Sequence, residues 1–289
     1  MDIIVETDLG RDPDDFFALC YLHGAGYNIR AITISPGDPD QIAIAKGLMK
    51  ELGLQIPIGA ARVGDKSSSG GVHEKFLRHY GHPLRESPDS VGSAVIHITK
   101  RAYPDAELFV CGPPQNVGRY LEEFPGTPFR AVTIQGGFVP YSVHTYDVPR
   151  LDKFEGRETV ATFNLNGDPK AGERLIQSGS PIRMVGKNVC HTIVYNKERH
   201  DFVREVAPTS RAGELFREVM SMYLETHNEK KFHDPTAAVC MRHPEIGTWV
   251  QGIPYRESGK WGTRPDPAGH PCLVDVDRIA LWEHIRSMT

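Results

Sequence analysis

At 289 residues the chain has room for one extensive core, and its apolar and charged fractions, 39% and 24%, are those of an ordinary water-exposed globular protein. A formal net charge of -4 excludes a strong electrostatic pull toward nucleic acid or anionic membranes, and no apolar run approaches the ~20 residues of a membrane span. Five cysteines, far apart and without a CxxC pair, read as free thiols of a reducing compartment. The opening MDIIVETD is too short for a signal peptide. A cytoplasmic protein with neither a nucleic-acid nor a membrane partner is expected.

In chain order, Ile3-Ile4-Val5 reads as a buried strand before a helix from Asp15 to His23, and Ile32-Thr33-Ile34 precedes a helix from Gln41 to Leu52. The alternation continues with Leu108-Phe109-Val110, a helix from Asn116 to Glu123, a strand from Ala131 to Ile134, a helix from Pro169 to Gln177 and a strand from Ile182 to Val185. Leu215, Phe216, Val219, Met220 and Tyr223 mark one face of a helix from Thr209 to His227. Cys272 to Asp277 reads as a last strand, before a helix ending near Ser287. This rhythm predicts an α/β fold with a mainly parallel central sheet covered by helices on both faces, in a single domain over 1–289. Two segments break it, 62–90 and 136–161, and are read as long loops at the site.

The chemistry concentrates where the first strand hands over to a helix. Glu6, Asp8, Asp12, Asp14 and Asp15 place five carboxylates in ten residues at the carboxyl end of a parallel strand, where open α/β sheets bind ligands. Capping accounts for one or two acids before a helix. The rest need a hard divalent cation or raised pKa values to coexist. Far downstream, His233 and Asp234 open another apolar helix, and they offer a proton-handling imidazole and a further carboxylate. Gly112-Pro113-Pro114-Gln115-Asn116 can turn a carbonyl toward the same sheet edge, and Asn164 has an amide suited to sugar hydroxyls. Each of these two has a bland alternative as turn or cap chemistry.

These motifs together resemble the inosine-uridine-preferring nucleoside hydrolases. ETDLGRDPDDFFAL (Glu6 to Leu19) is similar to that family's DTDxGxDDxxAL, and GPPQN resembles GPLTN. IQGG (Ile134 to Gly137) resembles LMGG, TFNLNGDPKA (Thr162 to Ala171) resembles EFNxxxDPEA, and HDPTAAV (His233 to Val239) resembles HDPVAVA. Trp261-Gly262-Thr263 and the closing VDVDR fit the family's ending. The resemblance implies a Ca²⁺ held by Asp8, Asp15, Asp234 and the main-chain oxygen of Gln115, with Asp12 a further candidate ligand. It makes Asp8 the general base and places His233 beside the leaving base. Asp14, Asp38, Gln135, Asn164 and Asn166 would bind the nucleoside, and a homodimer or homotetramer is implied by the same analogy.

Three departures qualify the substrate. Asp12-Pro13 is inserted between Gly10 and the Asp14-Asp15 pair, Thr162 stands in place of the family's sugar-binding Glu, and the segment from Gly137 to Thr162 is longer than usual, carrying His144, Tyr146, Asp147, Arg150 and Lys153. Thr162 suggests a substrate modified or extended at its 5′ position. His73 and His191 read as structural histidines. Of the competing classes, a haloacid-dehalogenase phosphohydrolase fails because the strand lacks a nucleophile at its DxD position, and an EF-hand fails on spacing. A nucleoside-binding protein that keeps the metal site without turnover is the remaining alternative.

Overall fold

A computed structural model describes residues 1–10, 12–62 and 69–288. The chain begins with β1 (Asp2–Thr7), α1 (Asp14–Gly24), β2 (Asn28–Ile34), α2 (Pro39–Glu51), β3 (Ile58–Ala60), α3 (Gly71–His79), β4 (Ser90–Val91) and α4 (Gly92–Ala102). It continues through β5 (Glu107–Val110), α5 (Gln115–Glu123), β6 (Val132–Gln135), α6 (Phe163–Gly167), α7 (Pro169–Ile176), β7 (Ile182–Val185), α8 (Lys187–Cys190) and β8 (Val194–Asn196). The remainder is α9 (Lys197–Arg204), α10 (Arg211–Leu224), β9 (Glu229–Lys231), α11 (Asp234–Arg242), β10 (Gly247–Glu257), β11 (Lys260–Pro265), β12 (His270–Val276) and α12 (Arg278–Met288).

Among the described residues, ten strands form one sheet in the order β11-β10-β12-β7-β6-β5-β1-β2-β3-β4, and β8 with β9 forms a separate antiparallel ribbon. From β12 to β4 every pairing is parallel; only the β10 pairings with β11 and β12 are antiparallel. Side chains alternate across a strand, and β1 shows the result directly. Ile3 and Val5 join the larger apolar core with α1, α2, α10, α11 and α12, whereas Ile4 joins the second core with α4, α5 and α7. Helices therefore cover both faces, and β1 lies near the middle of the sheet.

Two readings of the sequence are corrected. The 62–90 segment is not loop throughout, because α3 occupies Gly71–His79 and buries His73, Phe76 and Leu77. Its Ser, Gly and His content masked a single helical turn of apolar spacing; 63–68 lies outside the described residues. The β10–β11 hairpin was also overlooked. Its two-residue turn is Ser258-Gly259, with φ of 47° and 76°, the left-handed pair that matches strand twist. The 136–161 segment holds two short 3-10 turns and a small apolar cluster of Phe138, Tyr141 and Phe154.

One close approach fixes the end of β1. A Cβ on Gly112 would lie 2.4 Å from the Asp8 nitrogen and 2.5 Å from the Thr7 carbonyl carbon, so no larger residue fits between β5 and β1. Gly112→Ala is expected to destabilise the fold by about 1–3 kcal/mol through overpacking, read as a lower Tm. A Tm equal to that of the parent protein would contradict this packing.

Candidate active site and metal centre

β1 delivers Thr7 and Asp8 to the carboxyl edge of the sheet, and α1 opens there with Asp14 and Asp15. Against α1 packs α11, whose first residue is Asp234. Neither helix has a side-chain cap at its N-terminus, so the acids are not consumed by capping. Two helix N-termini and one strand end thus aim carboxylates into a cavity of about 700 Å³. Oxygens of Asp14, Asp15 and Asp234 lie within 4.8 Å of one another, and Asp8 lines the same cavity.

The electrostatics follow from burial. Asp15 is pushed up to about 8 by burial and by the Asp14 charge, steadied by the Thr7 hydroxyl, which donates to it. Asp8 and Asp234 are raised well above the carboxylate range, first by burial and then by the neighbouring aspartates. Asp14 goes the other way. Burial works against its charge, but the Lys230 ammonium and the His233 ring hold it well below the usual range. Lys230 is itself buried, with Nζ 2.6 Å from Asp12 and 3.4 Å from Asp14. His233 Nδ1 lies 3.5 Å from Asp14 Oδ2, and its Nε2 is buried with no partner. An all-oxygen group of buried carboxylates that resist ionisation together is the donor set of a hard divalent cation, and the residues present fit one.

Of the nominated residues, Asp8, Asp12, Asp14, Asp15, Gln135, Asn164, His233 and Asp234 all line the cavity. Asn164 Nδ2 donates to the Gln135 carbonyl at 3.0 Å and to Gln135 Oε1 at 2.8 Å, joining the two into one polar wall. Three are placed elsewhere. Asp38 is buried at the start of α2, one step behind the cavity: Gln41 accepts from its N–H at 2.9 Å and donates to the Asp8 carbonyl at 3.1 Å. Gln115 opens α5 and does not reach the lining. Asn166 lies outside the lining and acts as a brace: its amide accepts from Thr162 N at 2.8 Å and donates to the Gly259 carbonyl at 2.6 Å.

The fifth acid of the opening cluster, Glu6, faces away from the cavity. It accepts from Thr33, from Ser35 at 2.8 Å and from the Asn116 backbone and amide at 3.2 and 3.0 Å, while burial pushes it up to about 7. Sequence reasoning missed Lys230, for which only the charged run before His233 offered a signal. It also missed the outer wall of Lys75, Phe163, Met222, Tyr223, Thr226 and His227. The His191 ring lies 5.0 Å from that of His233, and Lys153 of the long 136–161 segment reaches its Nδ1 at 2.6 Å. His73 is buried, 3.3 Å from the Asp12 carbonyl.

The family model for inosine-uridine preferring nucleoside hydrolase matches residues 3–280. An uncharacterized protein of Aquifex aeolicus is 28% identical, with 94% of each chain covered. The pyrimidine-specific ribonucleoside hydrolase RihA of Salmonella enteritidis is 25% identical over 96% of this chain and 94% of its own. The solved structure of a plant nucleoside hydrolase, PpNRh1, superposes with a TM-score of 0.75 at 18% identity, covering 99% of this chain and 98% of that one.

Raised carboxylate pKa values make the metal-free protein bind more protons folded than unfolded, so its stability falls as pH rises through the folded values. Histidines with lowered folded values oppose this trend near pH 6.5, where the unfolded imidazoles are still half protonated, and oppose it little above about pH 7.5. The chelator-treated protein is therefore expected to lose Tm between about pH 7.5 and about pH 8.5, as Asp15, pushed up to about 8, ionises. A divalent cation should restore more at the upper end. Equal gains at both pH values would contradict the carboxylate site.

Proposed function

Because the chain belongs to the inosine-uridine preferring nucleoside hydrolase family, we propose that it hydrolyses the N-glycosidic bond of a ribonucleoside, releasing free base and ribose with Ca²⁺ as cofactor. The observation that carries this is the convergence of Asp8, Asp14, Asp15 and Asp234 in one cavity walled by the Gln135-Asn164 pair. Its size is that of a small-molecule site.

Asp15, Asp234 and Asp8 would hold the cation, which when bound lowers the pKa of water in the cavity. Asp8 is the base. Its carboxylate takes the proton of the attacking water and orients the oxygen toward the anomeric carbon. Asp14, kept anionic by Lys230, accepts hydrogen bonds from ribose hydroxyls, and Asn164 with Gln135 meets the sugar from the opposite wall. As the base departs, positive charge grows on the sugar ring, and the fixed carboxylates stabilise it. His233 stands beside Asp14 with a free Nε2, suited to donate toward the leaving base. Phe163, 76% exposed, and Tyr223 offer aromatic surface for that base.

Reducing-sugar release from a nucleoside panel tests the reading. The parent protein is expected to release ribose in Ca²⁺, and Asp8→Ala to lose about 10²–10⁴-fold of kcat, as expected for removal of a general base. Release from no nucleoside would favour a binding protein instead.

Thr162, buried at the start of α6, brings no carboxylate to the 5′ end of the sugar. A 5′-substituted nucleoside should therefore be hydrolysed at least as fast as its free 5′-OH counterpart. A strong preference for the free hydroxyl would remove this part of the proposal.

A further inference from the structure

At the far end of α11 from the cavity lies a second group of ligating atoms. One ring nitrogen each from His243 and His284 and one carboxylate oxygen of Glu245 all lie within 4.8 Å of one another. His243 Nδ1 is 3.1 Å from Glu245 Oε1, and the His243 and His284 rings stack with centroids 3.6 Å apart and planes 9° apart. Three elements supply the group: His243 caps the C-terminus of α11, Glu245 lies in the 3-10 turn Pro244–Ile246, and His284 projects from α12.

We infer that His243, Glu245 and His284 form a binding site for a divalent ion of the zinc class, separate from the carboxylate cavity. Two imidazoles and one carboxylate are a three-ligand set that zinc accepts with a fourth position left to water. Such a donor set prefers a softer ion than an all-oxygen cavity does. Ligand atoms around tetrahedral zinc sit about 3.3 Å apart, given Zn–N of about 2.0–2.1 Å, and because an imidazole lone pair lies in its ring plane, one of the two rings must turn out of the stack to bind. The Glu245 side chain is 66% exposed and free to follow.

The surrounding structure favours a cation here. The C-terminus of α11 presents the negative end of its dipole to His243. The backbone of the turn is already fixed: Trp249 Nε1 donates to the Pro244 carbonyl at 2.8 Å, and Asp277 N donates to the Ile246 carbonyl at 2.8 Å. The nine residues of α11 put about 13 Å between this end and the one carrying Asp234. A bound ion would tie the turn and α12 to the helix that presents Asp234.

Zinc titration by calorimetry, on protein held in excess Ca²⁺, tests the site in the parent, His284→Ala and Glu245→Gln. The parent is expected to bind one equivalent that His284→Ala weakens about tenfold or more, since even changes in a site's outer shell cost that much. Glu245→Gln should weaken it too, with nucleoside hydrolysis in Ca²⁺ unchanged in both variants. Cobalt in place of zinc should give a visible absorption band that the same substitutions remove. Zinc entering the carboxylate cavity would appear as a separate equivalent that neither substitution affects, so failure there is distinguishable from failure here. Equal zinc affinity in the parent and Glu245→Gln, whose exposed carboxamide leaves the fold intact, together with an unchanged cobalt spectrum, overturns the inference.

Discussion

Four carboxylates cannot share one water-poor corner as anions unless positive charge joins them. Asp8, Asp14, Asp15 and Asp234 are held in that corner, and Lys230 compensates chiefly the Asp14 side of it. Folding alone leaves the other three resisting ionisation. The protein thus carries a built-in demand for a cation, and the reaction proposed for it uses the same groups. The electrostatic stress that a cation relieves and the catalytic capacity it would serve have a common origin.

The rest of the fold holds that corner still. Gln41 reaches from α2 to the Asp8 carbonyl. Glu6 gathers Thr33, Ser35 and Asn116, binding the ends of β1 and β2 to the start of α5. The absence of a side chain at Gly112 lets β5 close against Asp8. These contacts lie behind the cavity, where a shift of a few tenths of an ångström would be felt by every carboxylate in front of them.

The parallel sheet was legible because its strands are short, β-branched and regularly followed by helices, and the carboxylates of α1 and α11 were legible because both motifs sit at helix starts. What escaped has physical reasons. Asn166 carries the same amide as Asn164 two positions earlier, but only the structure shows it turned to Thr162 and Gly259, outside the cavity lining. Lys230 acts across a sequence gap of more than two hundred residues on a ribbon of three-residue strands, too short for a periodic signal. Glu6 counts with the clustered acids in the sequence, yet its carboxylate is taken up by Thr33, Ser35 and Asn116, contacts that no local pattern announces. α3 escaped because one helical turn of apolar spacing does not stand out against polar neighbours.

The two margins of the large sheet bear on how copies of the chain can meet. At one margin β4 is two residues long. At the other, β11 ends in Pro265, and its outer edge is already engaged at Trp261 by both backbone bonds to Val160. Neither margin offers the long open ladder that strand-to-strand docking requires. Pairing of copies edge to edge through this sheet is therefore disfavoured, which leaves the sheet's ends as closing features of one molecule rather than as seams.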